Sequence, residues 1–527
     1  MASFVYQFIE QHAQKSPEAV ALTLKSSTLT YGELHLQVER FASAITQLGL
    51  TRYDRVGIYL HKTMETVVSI FGTNAASGVF VPINPVLKAP QVNHIVNDCD
   101  IKFLITNRGR FNSIKHELAN MPSLKAVIII DDDVSSYDYT AFEVVSWPDI
   151  MSNQSNASPG MPKTADDMAA ILYTSGSTGK PKGVVLSHNN LVQGAISVAT
   201  YLENDSEDVI LSVLPLSFDY GLSQLTTAFY VGASCILLDY LLANDVVKTI
   251  ERFGVTGVAC VPPLWSQLCA LNWSENAGHS VRYFTNSGGA LTTTNLKQLQ
   301  SLMPNAKPYL MYGLTEAFRS TYLPPEEVES RPTSMGKAIP NAEVMVVRPD
   351  GTECQPEEAG ELVHRGPLVS LGYWNAKEKT EQRFKPAPGQ PEGIINPELA
   401  VWSGDTVKKD KEGFLYFVSR TDEMIKTSGY RVSPMEIEEI LYQFKGVAEA
   451  VALGIKHEQL GQAILVIACF SHNDSDQSKP LMQHCQKLLA NYMVPKDIIV
   501  LDNLPHNANG KIDRAYLNKH YKNYYTE

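Results

Sequence analysis

The strongest constraint on how this chain can fold is an alternation of two hydrophobic periods. Short aliphatic runs at residues 55–60 (RVGIYL), 79–83, 102–106, 125–130 (KAVIII) and 169–173 read as strands. Between them, residues 31–48 and 63–78 carry apolar positions at helical spacing, and the first of these helices opens after Thr30, a residue type that caps helix N-termini. Strands linked through helices predict βαβ units and parallel sheets. Residues 151–166 are polar and rich in Ser, Asn and Pro, which reads as a connector to a second α/β block over about residues 189–310. Residues 342–417 change texture, with short strands between Gly, Pro and charged turns, and predict a β-rich subdomain. After Arg420 the chain reads as a compact α+β unit. The fold class is therefore α/β: a large N-terminal domain of mixed α/β sheets with a β-rich subdomain, then a small α+β C-terminal domain.

Composition excludes some functions. The chain has 527 residues, 44% hydrophobic and 19% charged, in the range of folded globular proteins and outside that of disordered ones. A net charge of −12 argues against a nucleic-acid surface, yet leaves room for an anionic nucleotide, which a few cations and backbone N–H groups can hold. The seven cysteines are dispersed and none forms a CxxC pair, so neither a zinc site nor a disulfide framework is expected. The N-terminus lacks the pattern of a signal peptide, and no apolar run approaches the roughly 20 residues of a membrane span. These readings predict a cytoplasmic protein.

The most informative short segment is YTSGSTGKPKGV at residues 173–184. Its glycines let backbone N–H groups approach phosphate oxygens, and its hydroxyls and lysines add donors and charge. A P-loop is excluded by spacing: Thr174 stands where the first Gly of GxxxxGK[ST] belongs, and Pro181 replaces the metal-binding hydroxyl. Taken alone the segment is equally compatible with a surface loop.

Further motifs follow in order: YGLTE at 312–316, GEL at 360–362, WSGD at 402–405, SRTDEMIK at 419–426, SGYRVSPMEIE at 428–438 and NGKIDR at 509–514. The ordered set resembles the adenylate-forming superfamily of acyl-CoA synthetases, peptide-synthetase adenylation domains and luciferases. Its stretches look most like stand-alone aminoacyl- or acyl-AMP ligases of the exosortase-associated and prolyl-activating type. The resemblance implies ATP-dependent activation of a carboxylic acid to an acyl-AMP with release of pyrophosphate, Mg²⁺ as cofactor, and transfer of the acyl group to a thiol. It also implies a boundary between an N-terminal domain of residues 1–421 and a mobile C-terminal domain of residues 422–527, with Asp422 as the hinge.

Site residues carry over motif by motif. Thr174, Ser175, Gly176, Ser177, Thr178, Gly179, Lys180 and Lys182 are similar to the phosphate loop. Gly288, Gly289 and Ala290 resemble the segment against adenine, and Tyr312 with Gly313 the stacking platform. Asp405 resembles the ribose-binding carboxylate, since a carboxylate accepts from both hydroxyls of a diol. Arg420 is its companion, preceded here by Ser419 where the family usually has Gly, and Arg431 follows on the same segment. Thr315 resembles a phosphate contact and Glu316 the Mg²⁺ ligand, a hard oxygen donor. Lys511 looks like the adenylation lysine, a mobile point charge between two anions.

The acid is less legible. The peptide-synthetase pattern puts Asp219, Tyr220, Ser223, Cys260, Thr285, Ser287, Met311, Arg319 and Ser320 around the acyl group, a small mixed pocket. Asp219 follows Phe218, as does the aspartate that binds a substrate α-ammonium; it also stands where a helix cap would. Arg319 either pairs with Asp219 or meets a second carboxylate on the substrate. The leading expectation is a small amino acid, with proline-like ones among the candidates, loaded onto the phosphopantetheine of a separate carrier protein. The alternative is an AMP-forming acyl-CoA ligase for a small or polar acid, with coenzyme A as partner. No carrier segment follows the NGKIDR motif, so the acceptor is expected in trans.

Overall fold

The structure is a computed structural model. It describes residues 2–131, 134, 139, 141–152, 163–174, 181–420, 425–427, 430–457, 460–471, 477–489, 493–508 and 510–525, without the side chains of 420, 426, 430 and 431. The phosphate-loop residues Ser175, Gly176, Ser177, Thr178, Gly179 and Lys180, and the hinge residue Asp422, lie outside the described residues.

Local chemistry starts the helices. Thr30 accepts from the Glu33 N–H while Glu33 reaches back to the Thr30 N–H, opening the helix Tyr31–Gln47. The same reciprocal cap by Thr63 and Thr66 opens Met64–Ala75, and Ser187 with Asn190 opens His188–Leu202. The helix expected over 63–78 is therefore shorter at both ends, because Thr63 is spent as its cap and the chain turns out after Ala75.

Two large sheets form the N-terminal part. The first has eight strands in the order Gly372–Tyr373, Lys182–Ser187, Met168–Thr174, Val79–Pro82, Arg55–Tyr59, Ile101–Thr106, Ala126–Ile129 and Glu143–Ser146. From Met168–Thr174 onward its neighbours are parallel, as the βαβ pattern predicts. The second has nine, with a parallel centre of Ser234–Leu237, Val209–Ser212, Gly257–Cys260, Tyr283–Asn286 and Lys307–Tyr312. One apolar core joins the facing sides of the two sheets through the helices Tyr31–Gln47, Met64–Ala75, His188–Leu202 and Asp219–Val231. A second core covers the outer face of the first sheet.

The reading of two consecutive blocks needs correction. The hairpin of Val20–Leu24 and Ser27–Thr30 joins the edge of the second sheet, Leu22 pairing with Cys235. Met168–Thr174 and Lys182–Ser187, which precede the second block, complete the first sheet. Periodicity tells which face of a strand is buried and leaves its neighbour open.

Five antiparallel strands between Glu343 and Arg420 build the β-rich subdomain. A fourth sheet takes Tyr430–Val432, Ile425–Thr427, Gly461–Phe470, Val447–His457 and Asp497–Val500, with an apolar cluster on each face. Among the described residues no helix is long and apolar enough to cross a membrane.

Candidate active site

In an open sheet with a parallel centre, ligands gather beyond the carboxyl ends of the strands. The second sheet does this here. Gly288 to Ala290 leave the end of Tyr283–Asn286, the YGLTE turn leaves Lys307–Tyr312, and Asp219 follows the loop after Val209–Ser212. Residues remote in sequence then close on that rim.

At the nucleotide end, the Tyr312 hydroxyl donates to Asp405 Oδ2 at 2.5 Å. The expected adenine platform and the expected ribose acid are thus one unit. Asp405 pairs across the strand with Arg420 and is braced through its own N–H on Ser403 Oγ at 3.1 Å. Arg431 pairs with Lys426 in the fourth sheet. Gly289 and Ala290 are exposed, while the Gly289 carbonyl is held by Asn286 Nδ2 at 2.9 Å, which leaves a fixed open ledge. Thr174 and Lys182 face each other at the mouth of the hairpin whose turn carries the phosphate loop.

Glu316 accepts from the Tyr373 hydroxyl at 2.5 Å, and Lys182 Nζ lies 5.2 Å from the centre of the same ring. Tyr373 was not legible in the sequence. It reaches Glu316 because Gly372–Tyr373 returns to the first sheet beside Lys182–Ser187. Among the described residues no three His, Cys, Asp or Glu side chains gather. A single fixed carboxylate beside a phosphate loop fits Mg²⁺, which takes one or two carboxylates plus phosphate oxygens and water.

Lys511 arrives from the C-terminal end. Its turn is tied to the first sheet's loop by Asn84 Nδ2 donating to the Ala508 carbonyl at 2.7 Å. Gly288, at φ +83°, makes room for it: a Cβ there would sit 2.7 Å from Lys511 Cε. Lys511 Nζ is 5.3 Å from the centre of the Phe218 ring, beside Asp219. Asn84 gave no signal in the sequence, since its role depends on a loop more than four hundred residues away, and Phe218 was legible only as the residue before Asp219.

Asp219 is 4% exposed and is the first residue of the helix Asp219–Val231, whose cap position is Phe218. Its carboxylate accepts from Thr315 Oγ1 at 3.1 Å. The helix-cap alternative therefore does not describe it, because its partner comes from the YGLTE turn. Burial pushes the Asp219 carboxyl up, against the pull of Arg319, Lys511 and the Thr315 hydroxyl.

Arg319 is 1% exposed. No ion pair joins it to Asp219 among the described residues, although its charge is the strongest electrostatic pull on that carboxyl. Its guanidinium stacks over Tyr220, 4.6 Å from the ring centre. Phe318, at φ +54°, turns the chain so that Glu316 and Arg319 serve different ends of the site; a bulky residue in that region is strained by about 1–3 kcal/mol. Tyr220, Ser223, Thr285 and Met311 line a small cavity with Arg319. Cys260, Ser287 and Ser320 are buried close to the same strand ends without lining it, and Ser320 Oγ instead meets His364 Nδ1 at 2.9 Å.

Comparison with known proteins agrees with this geometry. The family model described as AMP-binding enzyme matches residues 9–374, and that of the AMP-binding enzyme C-terminal domain matches residues 436–511. The chain is 28% identical over 97% of its length to gramicidin S synthase 2 of Aneurinibacillus migulanus, and spans only 11% of that protein. It is 27% identical to the indoleacetate–CoA ligase of Aromatoleum aromaticum, over 96% of both chains. The anthranilate CoA ligase AuaEII in complex with anthranoyl-AMP has the same fold, with a TM-score of 0.89 at 24% identity over the whole of both chains. The chain spans about a tenth to a fifth of the length of the synthases it matches first, and it belongs to the AMP-binding enzyme family.

Proposed function

We propose that the chain is an AMP-forming ligase that activates a carboxylic acid with ATP, that the acid is a small amino acid, proline-like ones included, and that the acyl group passes to the phosphopantetheine thiol of a separate carrier protein. The observation that supports this most is Asp219. A carboxylate buried to this degree without a contacting cation is costly. A substrate α-ammonium supplies the missing charge and would hold the reacting carboxylate beside Lys511.

In the first half-reaction a carboxylate oxygen attacks the α-phosphorus and the bond to the β-phosphate oxygen breaks, giving aminoacyl-AMP and pyrophosphate. Both reactants are anions, so Lys511 acts by neutralising the charge between them, and the Tyr312–Asp405 unit by fixing the nucleoside. Glu316, oriented by Tyr373, would hold Mg²⁺, which supplies charge neutralisation on the phosphates. In the second half-reaction the thiolate attacks the acyl carbonyl carbon and AMP leaves. We assign the domain boundary to 421/422 and the pivot to Asp422, so that the C-terminal domain turns between the halves. The seven cysteines, all free and buried, fit the reducing cytoplasm.

A second reading, transfer to coenzyme A, is favoured by the mutual 96% coverage with the indoleacetate–CoA ligase. Pyrophosphate exchange over small amino acids and their deaminated analogues tests the acid. Exchange with a deaminated analogue and with no amino acid would sink the first reading. Mass spectrometry of the thioester formed with coenzyme A or with a loaded carrier then separates the acceptors.

A further inference from the structure

Arg319 is the charged residue among those described around the acyl cavity, and it is built in without a partner. It forms no side-chain hydrogen bond and no ion pair among the described residues, and its Nε is buried with nothing to donate to. Stacking on Tyr220 only partly offsets the loss of water from a guanidinium. No carboxylate lines the cavity. A fully buried, unpaired guanidinium is among the arrangements folded proteins avoid unless a ligand completes it.

The surroundings suit an anion. The Tyr220 hydroxyl and Thr285 Oγ1 are 2.5 Å apart and share one proton between two oxygens, which leaves a second hydroxyl proton to offer. Ser223 adds another hydroxyl to the lining. The cavity measures about 10 Å³, the room of one water, so an occupant must displace a neighbour. Met311, held by the Tyr201 hydroxyl on its sulfur at 2.9 Å, is unbranched and able to give way. Asp219 makes no ion pair with Arg319 and takes its hydrogen bond from Thr315, although the two charges attract.

We propose that Arg319 receives a second carboxylate at the far end of the substrate, so that the enzyme activates one carboxyl of a short dicarboxylic acid. This rests on the reading that a small acid occupies this pocket. With Asp219 on an α-ammonium, the substrate is an α-amino dicarboxylate of aspartate or glutamate size. The two buried charges of opposite sign then read the two ends of one molecule. A guanidinium fork matches a carboxylate in two parallel hydrogen bonds, which a neutral amide cannot reproduce.

Pyrophosphate exchange with isosteric pairs tests this: aspartate against asparagine, glutamate against glutamine, succinate against succinamate, with alanine and proline as neutral controls. The acidic member of a pair is expected to exceed the neutral one in kcat/KM by at least about 100-fold. Arg319→Met should remove that margin by lowering the acidic substrate and sparing the neutral one, and Arg319→Lys should restore part of it. Neutral members equal to or better than acidic ones in every pair would overturn the proposal, and that comparison needs no variant to fold. So would equal loss on both members in Arg319→Met, which would mark a structural guanidinium resting on a trapped water. Exchange with alanine or proline while every dicarboxylate fails keeps the amino-acid reading and overturns this one. Succinate ahead of aspartate, with Asp219→Asn harmless, does the reverse. Exchange with none of these acids overturns both.

Discussion

Asp219→Asn separates a functional carboxylate from a structural one, because the two roles move stability in opposite directions. Burial opposes the buried charge, and Arg319, Lys511, the Thr315 hydroxyl and the first helical turn favour it. Removal from water costs several kcal/mol. The first turn of the helix Asp219–Val231 returns about 0.3–1 kcal/mol through its dipole, and the Thr315 hydroxyl about 1.5–3 kcal/mol as a hydrogen bond to a charged group. The raised carboxyl says that burial wins. An acid raised on folding lends stability below its unfolded value, about pH 3.9, and loses it as pH rises through the folded value. Ionisation of Asp219 as pH rises therefore weakens the fold. Asparagine keeps an acceptor for Thr315 and carries no charge, so the variant should gain about 1–2 kcal/mol, roughly 1–2 °C in melting temperature for a chain this long. The gain should shrink as the pH approaches 4. Amino-acid activation should meanwhile fall about 10²–10³-fold in kcat/KM, since the α-ammonium loses a buried counter-charge. Thermal melts across pH, paired with pyrophosphate exchange, read both. A variant that melts several degrees lower at neutral pH, with activity falling in step, would refute the reasoning and return Asp219 to the fold.

Two further outcomes are expected at the rim. Lys511→Ala should lower adenylation about 10²–10³-fold while thioester formation from a supplied acyl-AMP stays within a few-fold, measured as separate half-reactions; equal loss in both would remove the role given to this lysine. Gly288→Ala should lower adenylation at least about 10-fold with little change in the melt, because the new Cβ sits where Lys511 Cε lies and the left-handed φ resists any side chain. Unchanged exchange in that variant would mean that Lys511 does not cross Gly288 during catalysis.

What the sequence made legible divides by the range of the interaction. Helix starts were readable at Thr30 because a cap and its partner lie three residues apart. Strands were readable because burial imposes a two-residue period. Sheet membership was not: the hairpin at Val20–Leu24 and the pair Met168–Thr174 and Lys182–Ser187 were drawn into their sheets by neighbours far along the chain. In the site, Tyr312, Glu316, Asp405 and Lys511 stood out by residue type and motif order. Tyr373 and Asn84 did not, since a tyrosine that fixes a carboxylate is the same letter as one that fills a core.

Asp219 and Arg319 lie between these cases, and they show where local rules and function part. The sequence offered cancellation of the two charges as readily as two separate roles. Both side chains are buried and no ion pair joins them, although Arg319 is the strongest charge acting on the Asp219 carboxyl. A fold selected for stability alone would pair such charges or replace them with apolar residues of similar volume. On the proposed reading, a chain that buries both without an ion pair between them carries a cost that a ligand with complementary charges relieves. Such conflict between burial and charge is expected at functional sites and not in ordinary cores. The pocket is then best understood as half of a completed set of ion pairs, with the other half arriving on the substrate.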